Sequence, residues 1–158
     1  MANEGQFKSN TLLVATRGVK EYRATIDRLI TSHDSVLELG CEWGTTTRLL
    51  ANRSTHVIGT DMSLECIQRA RTKYPDIRFE VLDAFDLRGA LALGTFTKIY
   101  VDLSGISGYR SLLDAISLAQ AYASMFRPEA IVLKCGALKQ FARRCIAWED
   151  GFLGLRGG

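Results

Sequence analysis

Apolar residues occur along this chain in two kinds of block, and the spacing within each block predicts its secondary structure. Val19, Tyr22, Ile26 and Ile30 recur at helical spacing with charged residues between them, which predicts a first helix over 19–30. Short apolar runs predict five strands, at 35–39, 56–59, 77–81, 98–101 and 130–134. Further helices are predicted over 45–52, 63–73, 109–126 and 137–148.

Strands that alternate with helices in this way predict βαβ units and a parallel sheet. Right-handed crossovers then place helices on both faces of that sheet. The predicted fold class is therefore α/β, with a doubly wound, mostly parallel sheet. The length of 158 residues predicts a single domain over 1–158, in which 1–10 and 150–158 are expected to be flexible.

Composition narrows the class of protein. Hydrophobic residues make up 47% of the chain and charged residues 23%, which is typical of a water-soluble globular domain. The start lacks a signal-peptide pattern and no apolar run approaches the ~20 residues of a membrane span, so we expect no membrane partner and a cytoplasmic location. Four cysteines without C-x-x-C spacing predict reduced thiols and no metal site. The net charge of +3 neither requires nor excludes nucleic acid.

Candidate site residues follow from the predicted fold, because ligands of doubly wound sheets bind outside the carboxyl ends of the strands. The residues that end the predicted strands are the segment ELGCEWG at 38–44, Asp61, Asp83, Asp102 and Lys134. Gly40 and Gly44 allow a ligand to approach the backbone closely. A carboxylate at Asp61 can accept both hydroxyls of a ribose, so the sequence predicts a nucleotide-like ligand.

The charge of this segment favours one kind of nucleotide over another. Asp61 lies 21 residues after Gly40, close to the spacing of dinucleotide-binding folds, which makes NAD the first candidate. However, a third glycine is absent and Glu42 lies in the loop, where its charge would repel a diphosphate. A cleft lined by carboxylates instead suits a ligand that combines a ribose with positive charge.

Four segments resemble the motifs of class I S-adenosylmethionine-dependent methyltransferases. They are VLELGCEWG at 36–44, IGTDMS at 58–63, VLDAFD at 81–86 and IYVDL at 99–103. The resemblance extends from about residue 36 to residue 134 and implies a Rossmann-like fold with S-adenosylmethionine as cofactor. Glu42 takes the place of the family's usual middle glycine, where a side chain could crowd the cofactor.

The same resemblance implies which residues surround the methionine part of the cofactor. Glu38, Gly40 and Gly44 would border it. Cys41 and Glu42 would lie in the same loop.

It also implies the residues that surround the adenosine part. Asp61 would bind the ribose hydroxyls, and Met62 would lie against the adenine face. Asp83 would accept the adenine amino group, and the Ala84 backbone would contact the ring. Asp102 would lie beside the transferred methyl group. Simple helix caps are the alternative interpretation of Asp61 and Asp83.

The acceptor side is predicted from three charged residues. Lys134 ends the most apolar strand, where an unpaired ammonium is costly, so we expect it to pair with Asp102. Together with Lys20, this pair resembles the Lys-Asp-Lys set of 2′-O-ribose RNA methyltransferases of the FtsJ and fibrillarin kind, which implies catalytic roles for Asp102, Lys134 and Lys20. Solvent-exposed lysines are the alternative interpretation of Lys20 and Lys134.

The predicted function is therefore methyl transfer from S-adenosylmethionine to RNA, with a ribose 2′-oxygen as the specific acceptor. Basic residues in two segments support an RNA partner because they could hold a phosphate backbone; they are Arg17, Lys20, Arg23, Arg28, Lys139, Arg143 and Arg144. A small-molecule methyltransferase and a non-catalytic cofactor-binding module or partner subunit stay open as alternatives, and so does an NAD-dependent oxidoreductase.

The end of the sequence predicts an unusual sheet edge. Four of the last ten residues are glycines, which do not favour the pair of strands that usually completes the sheet in this family. We therefore expect the sheet to lack that pair. Either the edge is open to a second copy or a partner chain, or the chain is an atypical member of the family.

Overall fold

The computed structural model describes residues 9–103 and 109–145, with side chains from residue 112 onward in the second range. Six strands form a single sheet: β1 (Leu12–Thr16), β2 (Ser35–Leu39), β3 (His56–Asp61), β4 (Arg78–Val81), β5 (Lys98–Val101) and β6 (Ala130–Lys134). Seven helices connect or follow them: α1 (Val19–Ala24), α2 (Ile26–Leu29), α3 (Thr45–Ala51), α4 (Leu64–Lys73), α5 (Leu87–Ala92), α6 (Tyr109–Phe126) and α7 (Gly136–Ala142).

The sheet has the strand order β1-β6-β5-β2-β3-β4, and all five pairings are parallel. Strand β2 lies between β3 and β5. The chain therefore adds β3 and β4 on one side of β2 and then β5 and β6 on the other side of β2. A crevice for a ligand forms at such a change of direction, outside the carboxyl ends of the strands. The predicted α/β class and doubly wound sheet are confirmed.

Alternate residues of the strands pack against helices on opposite faces of the sheet, as the two-residue period of a strand requires. On one face, Val36, Tyr100 and Val132 pack with Tyr22 and neighbouring residues of α1 and α2. On the other face, the core is built mainly from β-strand residues, α5 and α6. Both faces of the central strands are buried, which explains why the sequences of these strands are continuous apolar runs.

Strand β1 was not among the predicted strands. Its residues Leu12, Leu13 and Val14 pair in register with Ala130, Ile131 and Val132 of β6. The Leu12 N–H donates to the Glu129 carbonyl at 2.9 Å, and the Cys135 N–H donates to the Thr16 carbonyl at 3.1 Å. The edge position beside β6, which the sequence analysis left open, is therefore occupied by a strand from the beginning of the chain.

Several predicted boundaries differ from those observed. The first helix is divided at Thr25 into α1 and α2, β4 begins at Arg78, and α5 was not predicted. The last helix spans Gly136–Ala142 rather than 137–148. The predictions of flexible ends over 1–10 and 150–158 and of a missing strand pair fall, apart from residues 9 and 10, on residues 1–8 and 146–158, which lie outside the described residues. Among the described helices, none is both long enough and apolar enough to cross a bilayer.

Candidate active site

The loop between β2 and α3 forms the floor of the candidate site, and three of its residues adopt left-handed backbone angles. Gly40, Glu42 and Gly44 have φ values of 81°, 49° and 74°. A Cβ on Gly40 would overlap the carbonyl oxygen of Asp102, so only glycine allows β2 and β5 to end this close together. Glu42 has the backbone angles that glycine favours although it carries a side chain, and that side chain is exposed.

Asp61, the last residue of β3, holds this loop in place through hydrogen bonds. Its Oδ2 accepts the Glu42 N–H at 3.0 Å, and its Oδ1 accepts the Ser63 N–H at 2.9 Å. A carboxylate has about four lone-pair sites, so one backbone bond to each oxygen leaves capacity for a ligand. The arrangement holds the Asp61 carboxylate in a fixed orientation at the rim of a cleft.

A cleft of about 520 Å³ opens above this loop at the carboxyl ends of the strands. Its lining combines four carboxylates with apolar side chains: Gly40, Glu42, Asp61, Met62, Leu82, Asp83, Ala84, Phe85, Asp102 and Leu103. Seven of the ten predicted cofactor residues are in this set. Among the described residues, no lysine, arginine or histidine lines it. We refer to it as the larger cleft.

The far end of the larger cleft is formed by the segment after β4. Asp83 is exposed, and its Oδ1 accepts the Phe85 N–H at 2.9 Å in a local turn. The Ala84 carbonyl accepts a bond from the Tyr122 hydroxyl of α6 at 2.9 Å. Met62 and Phe85 are 75% and 50% exposed at the rim. These two apolar side chains could cover a flat ring.

Asp102 and Lys134, from the ends of β5 and β6, form an ion pair with 2.6 Å between Asp102 Oδ2 and Lys134 Nζ. Their side chains are only 16% and 20% exposed. The pairing expected from the sequence is present in the structure. Because the two strands are neighbours and parallel, their last residues project to the same edge of the sheet.

Glu38 lies beneath this pair and is 1% exposed. Its Oε2 accepts the Thr47 hydroxyl at 2.5 Å. Burial raises the pKa of Glu38 to about 8 and the nearby Asp102 carboxylate acts in the same direction, while Thr47, Arg23 and Lys134 partly oppose the shift. The site therefore contains a buried carboxyl group whose pKa lies close to neutrality.

A second, narrower cleft of about 110 Å³ adjoins the larger one. Its lining is mostly polar: Val19, Arg23, Glu38, Gly40, Cys41, Glu42, Thr45, Thr46, Asp102 and Lys134. The two clefts share Gly40, Glu42 and Asp102. We call this space the smaller cleft. Among its lining residues are two cations, Arg23 and Lys134, and three carboxyl groups.

Arg23 was predicted only as part of a basic patch, whereas Lys20 was predicted as catalytic. The structure places Arg23 in the lining of the smaller cleft, where its Nε donates to the Thr46 hydroxyl at 3.0 Å. Lys20 is exposed on the same helix and lines neither cleft. Helical spacing places Arg23 on the same side of α1 as Val19, which it follows by four residues, and both residues line the smaller cleft.

Two further predicted cofactor residues have clear packing roles. A Cβ on Gly44 would lie 2.6 Å from the ring of Phe79, so this glycine lets α3 approach β4. Cys41 is buried, and burial raises the pKa of its thiol well above the ordinary value. The Cys41 side chain is therefore a neutral thiol at physiological pH.

Comparison with known proteins agrees with this geometry. Residues 36–128 match a family model described as a methyltransferase domain, and this range contains all four motifs. The fold and the site define the chain's class as that of the class I S-adenosylmethionine-dependent methyltransferases, whose cofactor is S-adenosylmethionine. The chain belongs to the methyltransferase domain family, and the predicted membership of this superfamily is confirmed.

Individual relatives cover parts of the chain. A trans-aconitate 2-methyltransferase of Variovorax paradoxus (strain S110) is 46% identical over 50 residues, which are 30% of this chain and 19% of that enzyme. A dimethyladenosine transferase of Plasmodium falciparum superposes with a TM-score of 0.59 at 19% identity, over 89% of this chain and 49% of its own. Streptomyces venezuelae DesVI superposes with a TM-score of 0.55 at 20% identity, over 72% of this chain and 50% of its own.

These superpositions support the fold. The chain spans about half the length of the two solved structures and about one fifth of the curated relative.

Proposed function

We propose that this chain binds S-adenosylmethionine across the two joined clefts and transfers its methyl group to a small-molecule acceptor beside Lys134. The observation that carries this proposal is the junction of the clefts at Gly40, Glu42 and Asp102. A space large enough for a nucleoside continues there into a narrow space lined by charged groups. S-adenosylmethionine has the same order of parts, with a nucleoside, a sulfonium centre and an amino acid.

The charges of the larger cleft support a cationic nucleoside rather than a dinucleotide. Of the residues that the structure describes, the charged ones in its lining are all acidic, namely Glu42, Asp61, Asp83 and Asp102. A diphosphate would be repelled by these carboxylates, whereas a sulfonium would be attracted by them. Glu42 has the left-handed backbone angles that glycine favours, and its side chain is exposed.

The smaller cleft suits the amino-acid end of the same cofactor. Arg23 offers a guanidinium to a carboxylate, and Asp102 offers a carboxylate to an ammonium. Glu38, which is neutral below its pKa of about 8, offers that ammonium a hydrogen-bond acceptor. Arg23 is oriented by its bond to Thr46. A zwitterionic group would therefore find both of its charges matched within one narrow space.

Methyl transfer from a sulfonium requires alignment more than acid-base chemistry. The enzyme must hold a nucleophilic atom in line with the methyl carbon and the sulfur. In this proposal the Lys134 ammonium, fixed by Asp102, orients an acceptor oxygen at the junction of the clefts. Asp102 could also take the proton of a hydroxyl acceptor, while a carboxylate acceptor would need no base.

The acceptor is proposed to be a small molecule. The relative with the highest identity described above acts, by its name, on trans-aconitate, a small carboxylic acid. That identity includes only 30% of the chain, so it supports the class of acceptor and not the compound. The RNA acceptor and the ribose 2′-oxygen remain predictions from the sequence.

Calorimetric titration with S-adenosylmethionine, S-adenosylhomocysteine and NAD tests the cofactor. The wild type should bind the first two and not NAD. Asp61→Ala should weaken both by at least about tenfold, because hydrogen bonds to a charged group contribute roughly 1.5–3 kcal/mol. Asp27→Ala is the matched control, since Asp27 is an exposed acid whose side chain is 81% accessible.

Three results would contradict the proposal: binding of NAD in place of the other two ligands, no binding of any ligand, or equal losses in both variants. Melting temperatures of the variants separate loss of binding from loss of folding. If cofactor binds but no methyl group is transferred to any acid, alcohol or RNA tested, the non-catalytic module is the better description.

Asp102→Ala tests the transfer step separately. We expect turnover to fall by a much larger factor than cofactor affinity, because Lys134 loses the partner that orients it, whereas Glu42, Asp61 and Asp83 still line the larger cleft. A variant that keeps wild-type turnover would remove Asp102 from the mechanism.

A further inference from the structure

A cationic surface lies where the beginnings of α1 and α7 meet. Thr16 and Lys134 end the paired strands β1 and β6, so the segments that follow them start side by side. A Cβ on Gly136 would lie 3.4 Å from the carbonyl oxygen of Arg17, which shows how closely these segments approach. Basic residues that are far apart in sequence are therefore neighbours on one surface.

One ion pair joins the two helices. Lys139 Nζ of α7 lies 2.7 Å from Glu21 Oε2 of α1, and the Arg17 N–H donates to the same oxygen at 2.7 Å. Hydrogen bonds from Lys139 and Arg17 lower the pKa of Glu21. Glu21 is the only acidic residue within α1 and α7, and its charge is already used in this pair.

Within the part of the chain that the structure describes, the cations around this pair exceed what one glutamate can neutralise. Arg17, Lys20 and Arg143 are exposed, and Lys139 and Arg143 lie on one side of α7 because they are four residues apart. We define Arg17, Lys20, Lys139 and Arg143 as the α1–α7 cationic face. Such an excess of one sign attracts a ligand of the opposite sign.

This face adjoins the proposed transfer site. Val19 and Arg23 of α1 line the smaller cleft together with Lys134, and a single residue, Cys135, separates Lys134 from α7. Arg23 and Lys134 therefore continue the positive charge of this face inward, where the smaller cleft also contains the carboxyl groups of Glu38, Glu42 and Asp102. Among the described residues that line the larger cleft, every charged side chain is a carboxylate. Cations are thus concentrated on the side of the site next to α1 and α7, and acidic groups on the side of the larger cleft.

We propose that the α1–α7 cationic face binds the carboxylates of a small polycarboxylic acid and that this acid is the methyl acceptor. The inference rests on the proposed function and specifies its acceptor. One carboxylate would reach Lys134, while the remaining carboxylates stay on Arg17, Lys139 and Arg143. These cations decide which acceptors bind; they take no part in the chemical step.

A carboxylate acceptor also fits the chemistry. A lone pair of the carboxylate oxygen forms the new O–C bond to the methyl carbon, and the C–S bond breaks with its electrons remaining on sulfur. The sulfonium becomes a neutral thioether and the carboxylate becomes a neutral methyl ester. No proton is transferred, so the step needs no general base, and the Asp102–Lys134 pair is sufficient as an orienting group.

The geometry favours a small acid over a nucleic acid. Proteins that bind single strands combine a basic track with exposed aromatic side chains on which bases stack. Of the aromatic residues in α1 and α7, Tyr22 is fully buried, and Phe141 lines a separate groove with Leu112.

The test uses citrate as the probe and protein saturated with S-adenosylhomocysteine. Calorimetry should detect citrate binding to the wild type, and the double variant R17E/R143E should weaken it by at least about tenfold. Arg28→Glu combined with Arg88→Glu is the control, because both arginines are exposed on other helices and the change in net charge is the same. The control should change citrate affinity by less than about twofold.

Parallel titrations with inorganic phosphate and a short single-stranded RNA distinguish other anions. The inference is overturned if citrate does not bind, if both double variants weaken it equally, or if phosphate or RNA binds more tightly than citrate and is lost in R17E/R143E. In each of these cases S-adenosylhomocysteine binding is measured first, so a failed acceptor is distinguished from a failed cofactor. If the wild type does not bind S-adenosylhomocysteine, the proposed function fails and this inference fails with it.

Discussion

At the scale of single residues, Glu38 combines a cost to stability, a carboxyl group in a buried position, with a place in the candidate site. Its side chain is buried under the Asp102–Lys134 pair and has a pKa of about 8, raised chiefly by burial. A buried carboxyl group of this kind is neutral below its pKa and becomes a costly charge above it. Groups with shifted pKa values are concentrated at functional sites, which agrees with the position of Glu38 in the smaller cleft.

The raised pKa predicts that the protein is less stable at higher pH. The ordinary pKa of 4.5 applies to Glu38 in the unfolded chain. Between pH 5 and 8 the folded state therefore holds a proton that the unfolded state has released, so the free energy of unfolding falls as pH rises. Each unit of pKa difference corresponds to about 1.4 kcal/mol, which amounts to a few kcal/mol over this range.

Urea unfolding of wild type and Glu38→Gln across this pH range checks that prediction. The amide of glutamine keeps an acceptor for the Thr47 hydroxyl but cannot ionise. Glu38→Gln should therefore lose most of the pH dependence. Equal slopes in the two proteins would mean that another group is responsible.

Gly40 supports a second prediction at the same scale. Gly40→Ala introduces a Cβ into the carbonyl oxygen of Asp102 as well as strain at a φ of 81°, so it must displace the end of β5. Gly94→Ala is the control, because Gly94 also has a positive φ, 130°, but no atom lies within 4 Å of the added Cβ. We expect Gly40→Ala to be the more destabilising by at least about 1 kcal/mol and to weaken cofactor binding, both by calorimetry. Equal costs would mean that backbone strain alone accounts for Gly40.

At the scale of elements, the sequence predicted best those strands and helices whose limits are marked by a proline or by the ends of an apolar run. Pro75 follows the end of α4, Pro128 follows α6, and β2, β5 and β6 were predicted with their observed bounds. Strand β1 was missed although LLVA at 12–15 is a short apolar run of the kind that predicted the other strands. Its place in the sheet depends on pairing with β6, more than a hundred residues away, and local spacing does not report such pairing. The α1–α7 contact was unpredictable for the same reason.

A proline scan of β1 tests this strand. The Leu12 N–H donates to β6, and alternate residues of a parallel strand donate to the same neighbour, so Val14 also donates while Leu13 faces the open edge. Val14→Pro removes a ladder bond and Leu13→Pro does not. We expect Val14→Pro to lower the free energy of unfolding by at least about 1 kcal/mol more than Leu13→Pro. Equal effects in urea unfolding would contradict the described register.

At the scale of the whole molecule, the carboxyl edge of the sheet, at which the strands end, and the opposite edge, at which they begin, have different roles. The carboxyl edge carries both clefts and the cationic face. At the opposite edge, Lys98 is 7% exposed and its Nζ lies 2.6 Å from Asp34 Oδ1 and 2.5 Å from Glu129 Oε2. The carboxyl ends of the predicted strands indicated where the site would form, because parallel strands all end at the carboxyl edge of the sheet. They did not predict which helical face of α1 meets the site, which is why Arg23 was missed.

This separation predicts that stability and binding can be changed independently. Burial alone would raise the pKa of Asp34, but hydrogen bonds from Lys98, Thr97 and Thr31 outweigh it and hold the pKa well below the ordinary 3.8. Asp34 therefore stabilises the fold at neutral pH, and this contribution is lost only as pH falls below about 4. Asp34→Asn leaves the Lys98 ammonium poorly paired at a buried site and should cost about 3 kcal/mol at pH 7.

The variant should nevertheless bind the cofactor normally. A ligand at 100 times its dissociation constant stabilises a folded protein by about 2.7 kcal/mol. S-adenosylhomocysteine at that excess should therefore raise the melting temperature of Asp34→Asn as much as that of wild type, from a lower starting value. Asp61→Ala should show the reverse, with a smaller ligand-induced shift. If Asp34→Asn also lost the shift, the two edges would be coupled through the strands, and the carboxyl edge would not be an independent binding unit.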